Sequence, residues 1–241
     1  MKPHPIPARA LAVGAHPDDI ELYAGATLAM WAAAGCEVHH LVCTDGSRGS
    51  WDESADMAAL VATRRREQHD AAIRLGATGE VVFLDRIDGE LEADRATAHE
   101  VAAWIRRIRP EVLLGHDPWR RWRLHPDHRA AGFIVTDGVV AARDPHFLTD
   151  LGIPHHRPDL LLLFDTEEPD HPVQVDDDAA SAKVKALLAH RSQWLSTMDI
   201  PPDDDGSMES AFRDRTVAGL VDTGRRFGLP MAEAFRRIGG L

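Results

Sequence analysis

The sequence predicts an α/β fold: a Rossmann-like, parallel or mostly parallel sheet with helices on both faces. Short apolar runs of strand length alternate along the chain with longer runs rich in Ala and Leu, which is the pattern of repeated strand–helix units. One run, D-L-L-L-L-F at residues 159–164, is continuously apolar, as in a strand that is buried on both faces. The length of 241 residues and the 44% of hydrophobic residues predict one globular domain over residues 1–241.

The apolar runs place the strands, because each is bounded by polar, Gly or Pro residues. We expect strands at residues 8–14, 37–44, 80–84, 111–115 and 159–164, and a short sixth strand at 173–175. The intervening segments predict helices at residues 20–34, 56–75, 93–109, 129–142, 179–193, 210–228 and 231–238. Gly35, Gly76 and Pro110 follow the first three of these helices, and such residues commonly end a helix. Polar stretches at residues 45–51 and 200–210 predict loops, and the second could cover a site as a lid.

Charge and hydropathy exclude several classes of partner. The formal net charge is −12, which disfavours nucleic acid and anionic membranes, because phosphate binding needs concentrated Lys and Arg. The sequence contains no apolar run of about 18 residues, so we expect no membrane span. Its amino-terminal stretch, M-K-P-H-P-I-P-A-R, lacks the apolar core of a secretory signal. We therefore expect a cytoplasmic protein, as a monomer or a homo-oligomer.

Cysteine usage gives no metal site and no disulfide framework. The chain has two cysteines. Cys36 lies just before the strand predicted at 37–44 and Cys43 lies inside it, and both have the character of small core residues. Any metal chemistry therefore depends on the 14 histidines and on the carboxylates.

The first motif, G-A-H-P-D-D at residues 14–19, stands between the first strand and the first helix. A dinucleotide-binding turn at this place would read G-x-G-x-x-G, and this turn does not. Asp18 and Asp19 would also repel a pyrophosphate at the helix N-terminus, whereas they would attract a cation. Aspartates at a helix start are common caps, so this motif alone does not establish a site.

The second motif, H-P-D-H at residues 125–128, repeats the spacing of three that separates His16 from Asp19. A catalytic zinc takes three N or O ligands and keeps one position open. The most economical assignment puts His16, Asp19 and His128 on the metal.

The remaining side chains of the two motifs then take other parts. Asp18 becomes a general base, His125 a general acid or oxyanion stabiliser, and Asp127 a group that orients an imidazole. His116 and Asp165 follow later strands, and the carboxyl ends of parallel strands share one edge of a sheet. We therefore expect these two side chains near the site, together with His190.

The two motifs together resemble the PIG-L-type, LmbE-like zinc-dependent N-deacetylases. Further similar stretches are T-D-G-S at 44–47, Arg64-x-x-Glu67, Asp88-Gly89 and A-E-A-F-R at 232–236. The resemblance implies the same ligands and base, makes His125 the polariser of the amide oxygen, and adds Arg64 and Asp88 as substrate contacts. Ile20 stands where many members have Glu, and Tyr23 and Ala24 replace a more glycine-rich stretch, which bears on the shape of the pocket.

The resemblance implies a hydrolase that removes an N-acetyl or other N-acyl group from an amino-sugar-type small molecule. The implied cofactor is Zn²⁺, with another divalent metal such as Fe²⁺ as an alternative. Arg48 and Trp51 lie in the loop after the second strand and are candidate substrate contacts, because aromatic faces suit sugar rings and arginines suit polar groups.

Two other functions stay open at this point. The first is an amidase of a larger amide, such as a thiol conjugate of a glucosamine-inositol cofactor. The second is a metal- or nucleotide-binding Rossmann-like module without catalysis. Asp18 argues against the second, because a site that only binds metal has no use for an unliganded carboxylate beside it.

Overall fold

The computed structural model of the protein describes residues 5–241. Residues 1–4, which begin the stretch that predicts no secretory signal, lie outside the described residues. The strands are β1 Arg9–Gly14, β2 Glu37–Thr44, β3 Val81–Arg86, β4 Val112–His116, β5 Leu160–Phe164, β6 His171–Gln174 and β7 Ala232–Gly239. The helices are α1 Asp19–Ala33, α2 Met57–Arg74, α3 Arg95–Ile108, α4 Pro126–Arg143, α5 Asp177–Leu187, α6 Trp194–Met198 and α7 Ser207–Arg226.

The strands form one mixed sheet in the order β3-β2-β1-β4-β5-β7-β6. Neighbouring strands from β3 to β5 pair in parallel, so the prediction of a mostly parallel α/β sheet is confirmed. The chain leaves β1 toward β2 on one side and later returns to β4 on the other. The carboxyl ends of β1 and β4 therefore flank a topological switch point, where α/β folds bind their ligands.

The last strand corrects one prediction. Residues 231–238 were predicted to be helical, but β7 runs antiparallel between β5 and β6. Ala and Glu favour a helix locally, yet the segment alternates along one strand: Phe235 is fully buried while Arg236 is exposed. Residues 232–235 pair with β6 and residues 236–239 pair with β5, so the strand finds partners along its whole length and tertiary context overrides local propensity.

The sheet is buried on both faces. Leu11, Val13 and Leu113 pack against α3 and α4, whereas the alternate residues Ala10 and Ala12 pack against α1, α2 and α5. This alternation places successive side chains of one strand in two separate cores, as a parallel sheet requires. Within residues 5–241, no helix is long and apolar enough to cross a membrane.

Helix α4 begins three residues earlier than predicted. Pro126 occupies its first turn and His125 its N-cap position, and Pro is favoured there because its missing N–H would be unpaired in any case. The H-P-D-H motif is therefore the first turn of a helix and not part of the preceding loop. This placement brings Asp127 and His128 onto a rigid element.

Candidate active site

The two sequence motifs meet at the carboxyl edge of the sheet. His16 to Asp19 connect β1 to α1, and the first turn of α4 carries His125 to His128. Several side chains of the described chain have ligand atoms within 4.8 Å of one another. They form three overlapping groups: His16 with His125 and His128; His16 with Asp88, His125 and Asp127; and Asp19 with His116 and His128.

The predicted ligands His16, Asp19 and His128 lie at distances that suit one metal ion. His16 Nδ1 is 3.2 Å from His128 Nε2 and 3.4 Å from Asp19 Oδ2, and His128 Nε2 is 3.4 Å from Asp19 Oδ1. Tetrahedral ligands about 2.0–2.1 Å from a zinc ion stand about 3.3–3.4 Å apart. The three side chains therefore fit a divalent metal, with Asp19 offering Oδ2 on the side of His16 and Oδ1 on the side of His128.

His16 is oriented as a metal ligand needs to be. Its outer Nε2 lies 3.0 Å from Asp127 Oδ2 and 3.2 Å from Asp88 Oδ1, which fixes a proton there and leaves Nδ1 for a cation. Burial lowers the pKa of His16, but the surrounding carboxylates outweigh it and hold the pKa well above its usual value. The carboxylates thus stabilise positive charge at this place.

Asp19 is the anionic ligand of the cluster. Burial raises the pKa of its carboxyl, but His128 and His116 act against it and hold the pKa well below its usual range. Its Oδ2 accepts a hydrogen bond from the His16 backbone N–H at 2.8 Å and lies 3.2 Å from His116 Nε2. The same Nε2 lies 3.3 Å from the Ala15 backbone nitrogen. With its proton on Nε2, His116 donates to Asp19 and supports it from inside the fold.

His128 faces the cluster through Nε2, and its other nitrogen faces an arginine. Burial and neighbouring positive groups lower the pKa of His128 to about 3, so the ring is neutral. Arg123 lies 2.5 Å from its Nδ1, donates to the Tyr23 hydroxyl at 2.7 Å and contacts Asp165. A ring that accepts at Nδ1 carries its proton on Nε2, so cation binding requires the other tautomer and a turn of Arg123 away from Nδ1.

Asp18 is not a helix cap. In the described chain it stands at the N-cap position of α1 with a left-handed φ of 108° and no side-chain capping bond. Burial raises the pKa of its carboxyl to about 6, against the lowering effect of Arg64. A buried carboxyl with a raised pKa, next to the cluster of candidate metal ligands, suits proton transfer near neutral pH.

His125 stands at the edge of the cluster and is exposed. Its ring centre is 4.6 Å from that of His16 and 4.9 Å from that of His128. Burial of part of the ring and the positive charge of His16 lower the pKa of His125. The ring is therefore neutral at pH 7 and can offer an N–H to a nearby oxygen.

His16, Asp18, Asp19, His125 and His128 open into one cavity of about 500 Å³, a volume that suits a drug-sized molecule, comparable to a disaccharide. Its lining combines residues of both motifs with residues of α1 and α2, of the loops after β2 and β3, and of the segment 193–197: His16, Asp18, Asp19, Leu22, Tyr23, Arg48, Gly49, Ser50, Trp51, Arg64, Asp88, Gly89, His125, His128, Gln193, Ser196 and Thr197.

Comparison with known proteins decides the family. The sequence profile of the PIG-L family, described as GlcNAc-PI de-N-acetylase, matches residues 11–139. The chain belongs to the PIG-L family. That range contains every proposed metal ligand, Asp18 and His125, so the family resemblance and the geometry concern the same residues.

The relatives of this PIG-L protein include two chitobiose enzymes that match it almost throughout. Diacetylchitobiose deacetylase of Thermococcus kodakarensis is 31% identical over 97% of this chain and 84% of its own length. The structure of N,N'-diacetylchitobiose deacetylase from Pyrococcus horikoshii superposes with a TM-score of 0.85 at 28% identity, over 97% of this chain and 85% of that one. A deacetylase of Rhodococcus opacus that acts on 1D-myo-inositol 2-acetamido-2-deoxy-alpha-D-glucopyranoside is 37% identical over 61% of this chain and 58% of its own length. The protein is an N-deacetylase of the PIG-L family.

Arg64 of the PIG-L chain, predicted as a substrate contact, is engaged with the protein itself. It is buried, and its guanidinium donates to the carbonyl oxygens of Gly46 at 2.9 Å and Pro17 at 2.6 Å. It also lies 3.4 Å from Asp18 Oδ2. One helical turn further along α2, Gln68 accepts from the Asp18 backbone N–H at 3.1 Å, so α2 holds the turn that carries Asp18.

Asp88 and Asp127 hold the loop beside His16. Asp127 is fully buried and accepts from the backbone N–H groups of Gly89 at 2.7 Å and Leu91 at 3.2 Å. Asp88 accepts from the Arg48 backbone N–H at 3.1 Å. Asp127 thus contacts both this loop and the outer nitrogen of His16, and Asp88 reaches both His16 and the cavity.

The two loop residues Arg48 and Trp51 line the cavity from its outer side. The Arg48 guanidinium contacts Glu90, and the Trp51 ring is 81% exposed. Gln193, Ser196 and Thr197 also line the cavity, although nothing in the sequence singles them out. They fall at the end of the helix predicted over 179–193 and in the stretch after it, where polar residues carry no spacing that signals a site.

The remaining candidates have ordinary roles. Among the described residues, the 200–210 segment contributes nothing to the cavity lining, and α7 already begins inside it at Ser207. His190 is fully buried and faces Glu21 at 3.5 Å. The two cysteines are free and buried, and burial raises the pKa of Cys36 to about 11.

Proposed function

We propose that the protein removes the N-acetyl group from an amino sugar of a disaccharide-sized small molecule, with zinc as the metal. The observation that carries this proposal is the cluster of His16, Asp19 and His128, whose ligand atoms are separated by 3.2–3.4 Å, with the Asp18 carboxyl next in sequence and outside the ligand set. Structural zinc sites use four protein ligands, whereas catalytic sites keep a position open.

A divalent metal held by these three side chains would supply Lewis acid chemistry, lowering the pKa of water from 15.7 to about 7 and polarising an acyl oxygen. Asp18 takes the proton of the attacking water on its carboxylate and returns it to the amine nitrogen as the C–N bond breaks. One carboxyl can do both because its pKa lies near 6.

His125 stabilises the oxygen that becomes negative. Its position at the start of α4 places the ring beside His16 and His128, and its N–H can donate to the acyl oxygen. Because burial and His16 lower the pKa of His125, the ring acts as a neutral donor. The products are acetate and a free amino sugar.

The substrate class follows from the relatives and from the cavity. The deacetylases that match this chain over 97% of its length act, by name, on diacetylchitobiose, and a cavity of about 500 Å³ suits a disaccharide. We therefore propose a neutral, N-acetylated disaccharide of this kind. A larger thiol-conjugate amide is the alternative that the same chemistry would serve.

A substrate panel tests the proposal. Chelator-stripped protein is reconstituted with zinc and supplied with N-acetylglucosamine, N,N'-diacetylchitobiose and an N-acetylglucosaminyl inositol, and released acetate is measured. We expect release from the disaccharide that disappears on chelation and returns with zinc. Release from none of these sugars, with cleavage of a thiol-conjugate amide instead, would move the function to the amidase.

A further inference from the structure

The cavity has one wall that the catalytic groups do not explain. A single turn at Arg191–Gln193 leads into α6, Trp194–Met198, and Gln193, Ser196 and Thr197 face the same cavity as His16 and His128. All three side chains are uncharged hydrogen-bonding groups, which are suited to the hydroxyls of a neutral sugar. We call residues 191–198 the outer wall.

Glu67 fixes the beginning of the outer wall. This residue of α2 is 8% exposed, and its carboxylate accepts from the Ser192 backbone N–H at 2.9 Å and from the Ser192 hydroxyl at 2.6 Å. A buried carboxylate is costly unless it is hydrogen-bonded, so the position of Ser192 is strongly specified. Glu67 lies between Arg64 and Gln68 on α2, and those two residues hold the Asp18 turn.

A second set of hydrogen bonds joins the outer wall to the loop that contains Trp51. The Gly49 carbonyl oxygen accepts from Gln193 Nε2 at 3.1 Å and from the Ser196 hydroxyl at 3.4 Å. A Cβ at position 49 would lie 2.3 Å from Arg64 Nη1 and 2.9 Å from the Gln193 amide, so a larger residue there would displace the ends of these two side chains. The wall and the loop therefore form one side of the cavity.

The outer wall lies apart from the shared chemistry in sequence. The family profile covers residues 11–139, which include the metal ligands, Asp18 and His125. Residues 191–198 follow that range. Residues that select a substrate can vary independently of those that react with it when they lie on a separate segment positioned by a rigid scaffold.

We propose that the outer wall binds the sugar ring that does not carry the reacting acetamide, and that Glu67 is the residue that positions it. This inference rests on the proposed function, because it assumes a substrate with a second ring. Ser196 and Thr197 hydroxyls bond the second ring, and Glu67 acts on that ring only through Ser192. Glu67 is a positioning residue and not a catalytic one.

Binding to a catalytically slowed protein tests the inference directly. In zinc-loaded Asp18→Asn protein, affinities for N,N'-diacetylchitobiose and N-acetylglucosamine are measured by calorimetry, with and without Glu67→Ala. We expect Glu67→Ala to weaken disaccharide binding about tenfold and monosaccharide binding much less. Glu67→Gln, which can still accept from the N–H and donate to the hydroxyl of Ser192, restores most of the affinity. An equal loss for both sugars, or no loss, overturns the inference.

Two further variants control for a general loss of structure. Thr197→Val removes a cavity hydroxyl at constant shape and is expected to weaken only the disaccharide, several-fold. Glu80→Ala, at an exposed site at the amino-terminal edge of β3, is expected to change neither affinity. Acetate release by the unmodified protein distinguishes the two proposals. Release without discrimination between the sugars overturns the outer wall alone, whereas no release from either overturns the proposed function.

Discussion

Asp18 owes its position to contacts from outside its own turn. A non-glycine residue with φ of 108° is strained by about 1–3 kcal/mol and persists only where its surroundings hold it. Arg64 binds the preceding carbonyl oxygen, at Pro17, and Gln68 binds the Asp18 backbone N–H. The strain is thus maintained by two side chains on one face of α2, and it keeps the carboxyl free of the capping role that its sequence position favours.

Replacement of Arg64 separates positioning from substrate binding. Arg64→Met removes bonds to two buried carbonyl oxygens, so we expect kcat to fall about 100-fold with KM little changed. The free energy of unfolding should fall by about 1–3 kcal/mol. Arg66→Met, at the neighbouring exposed arginine, serves as the control in the same steady-state and urea-unfolding measurements. A rise in KM at unchanged kcat would instead make Arg64 a substrate ligand.

Asp127 sets the metal affinity through His16. The Gly89 and Leu91 N–H groups bond different oxygens of Asp127, so Asp127→Asn keeps an oxygen for one of them. With that oxygen toward Leu91, its amide NH2 faces His16 Nε2, which disfavours the tautomer that leaves Nδ1 free. We expect zinc to bind about 10–100-fold more weakly, as measured by competition with a chromophoric chelator. Asp137→Asn, on an outer turn of α4, is the matched control. Unchanged affinity in the Asp127 variant would remove it from the support of His16.

At the scale of single elements, a buried ion pair forms hydrogen bonds with backbone groups of α1. The Glu233 carboxylate accepts from the backbone N–H groups of Ala26 at 3.1 Å and Thr27 at 2.8 Å, and Lys183 donates to the Leu22 carbonyl oxygen at 2.6 Å. In a regular helix the Ala26 N–H would donate to the Leu22 carbonyl oxygen. Gly25 leaves room for the Lys183 side chain to approach, since a Cβ there would lie 3.1 Å from it.

Loss of Glu233 should destabilise the fold strongly. Glu233→Ala leaves Lys183 buried without its partner at 2.6 Å and two helix N–H groups unbonded, so we expect a loss of about 3–5 kcal/mol in the free energy of unfolding. Glu233→Gln keeps an oxygen for one N–H and should cost less. Urea unfolding followed by circular dichroism measures both. A Glu233→Ala variant within 1 kcal/mol of the parent would show that the pair is dispensable.

The sequence predicts the strands and helices that carry a clear apolar pattern. It misses β7, whose interaction partners are remote in sequence. The five parallel strands each carry an apolar run, which is visible in a single sequence. Residues 232–239 carry A-E-A-F-R-R-I-G, where a buried Glu233 reads as a polar helix residue because its partner Lys183 is 50 positions away. The start of α4 is missed for a different reason, since the second motif, H-P-D-H, indicates chemistry in a polar loop and not the first turn of a helix.

At the scale of the whole molecule, the sheet topology assembles the site. His16 and His128 are 112 positions apart, yet they meet because β1 and β4 are neighbours in the sheet. The sequence could predict that the two H-P-D motifs meet, since each follows one of these strands along the chain. It could not predict that Arg64 faces backbone carbonyl groups, nor that Gln193, Ser196 and Thr197 complete the cavity, because those contacts depend on how α2 and α6 pack.

Metal binding should stabilise the folded chain, because the three ligands come together only in the native state. A zinc concentration well above the dissociation constant is expected to raise the melting temperature of chelator-stripped protein by about 5–10 °C. His155→Ala, at an exposed histidine remote in sequence from the motifs, should show the same rise in a thermal-shift measurement. No rise in the unmodified protein would mean that the cluster does not hold zinc.

The central claim is that His16, Asp19 and His128 hold a metal while Asp18 transfers the proton. The most direct test measures bound zinc and acetate release together in the unmodified protein, Asp18→Asn and His128→Ala. We predict that Asp18→Asn keeps about one zinc per chain but loses turnover about 10²–10⁴-fold, and that His128→Ala loses both zinc and turnover. Zinc retained in His128→Ala, or turnover retained in Asp18→Asn, would contradict the account.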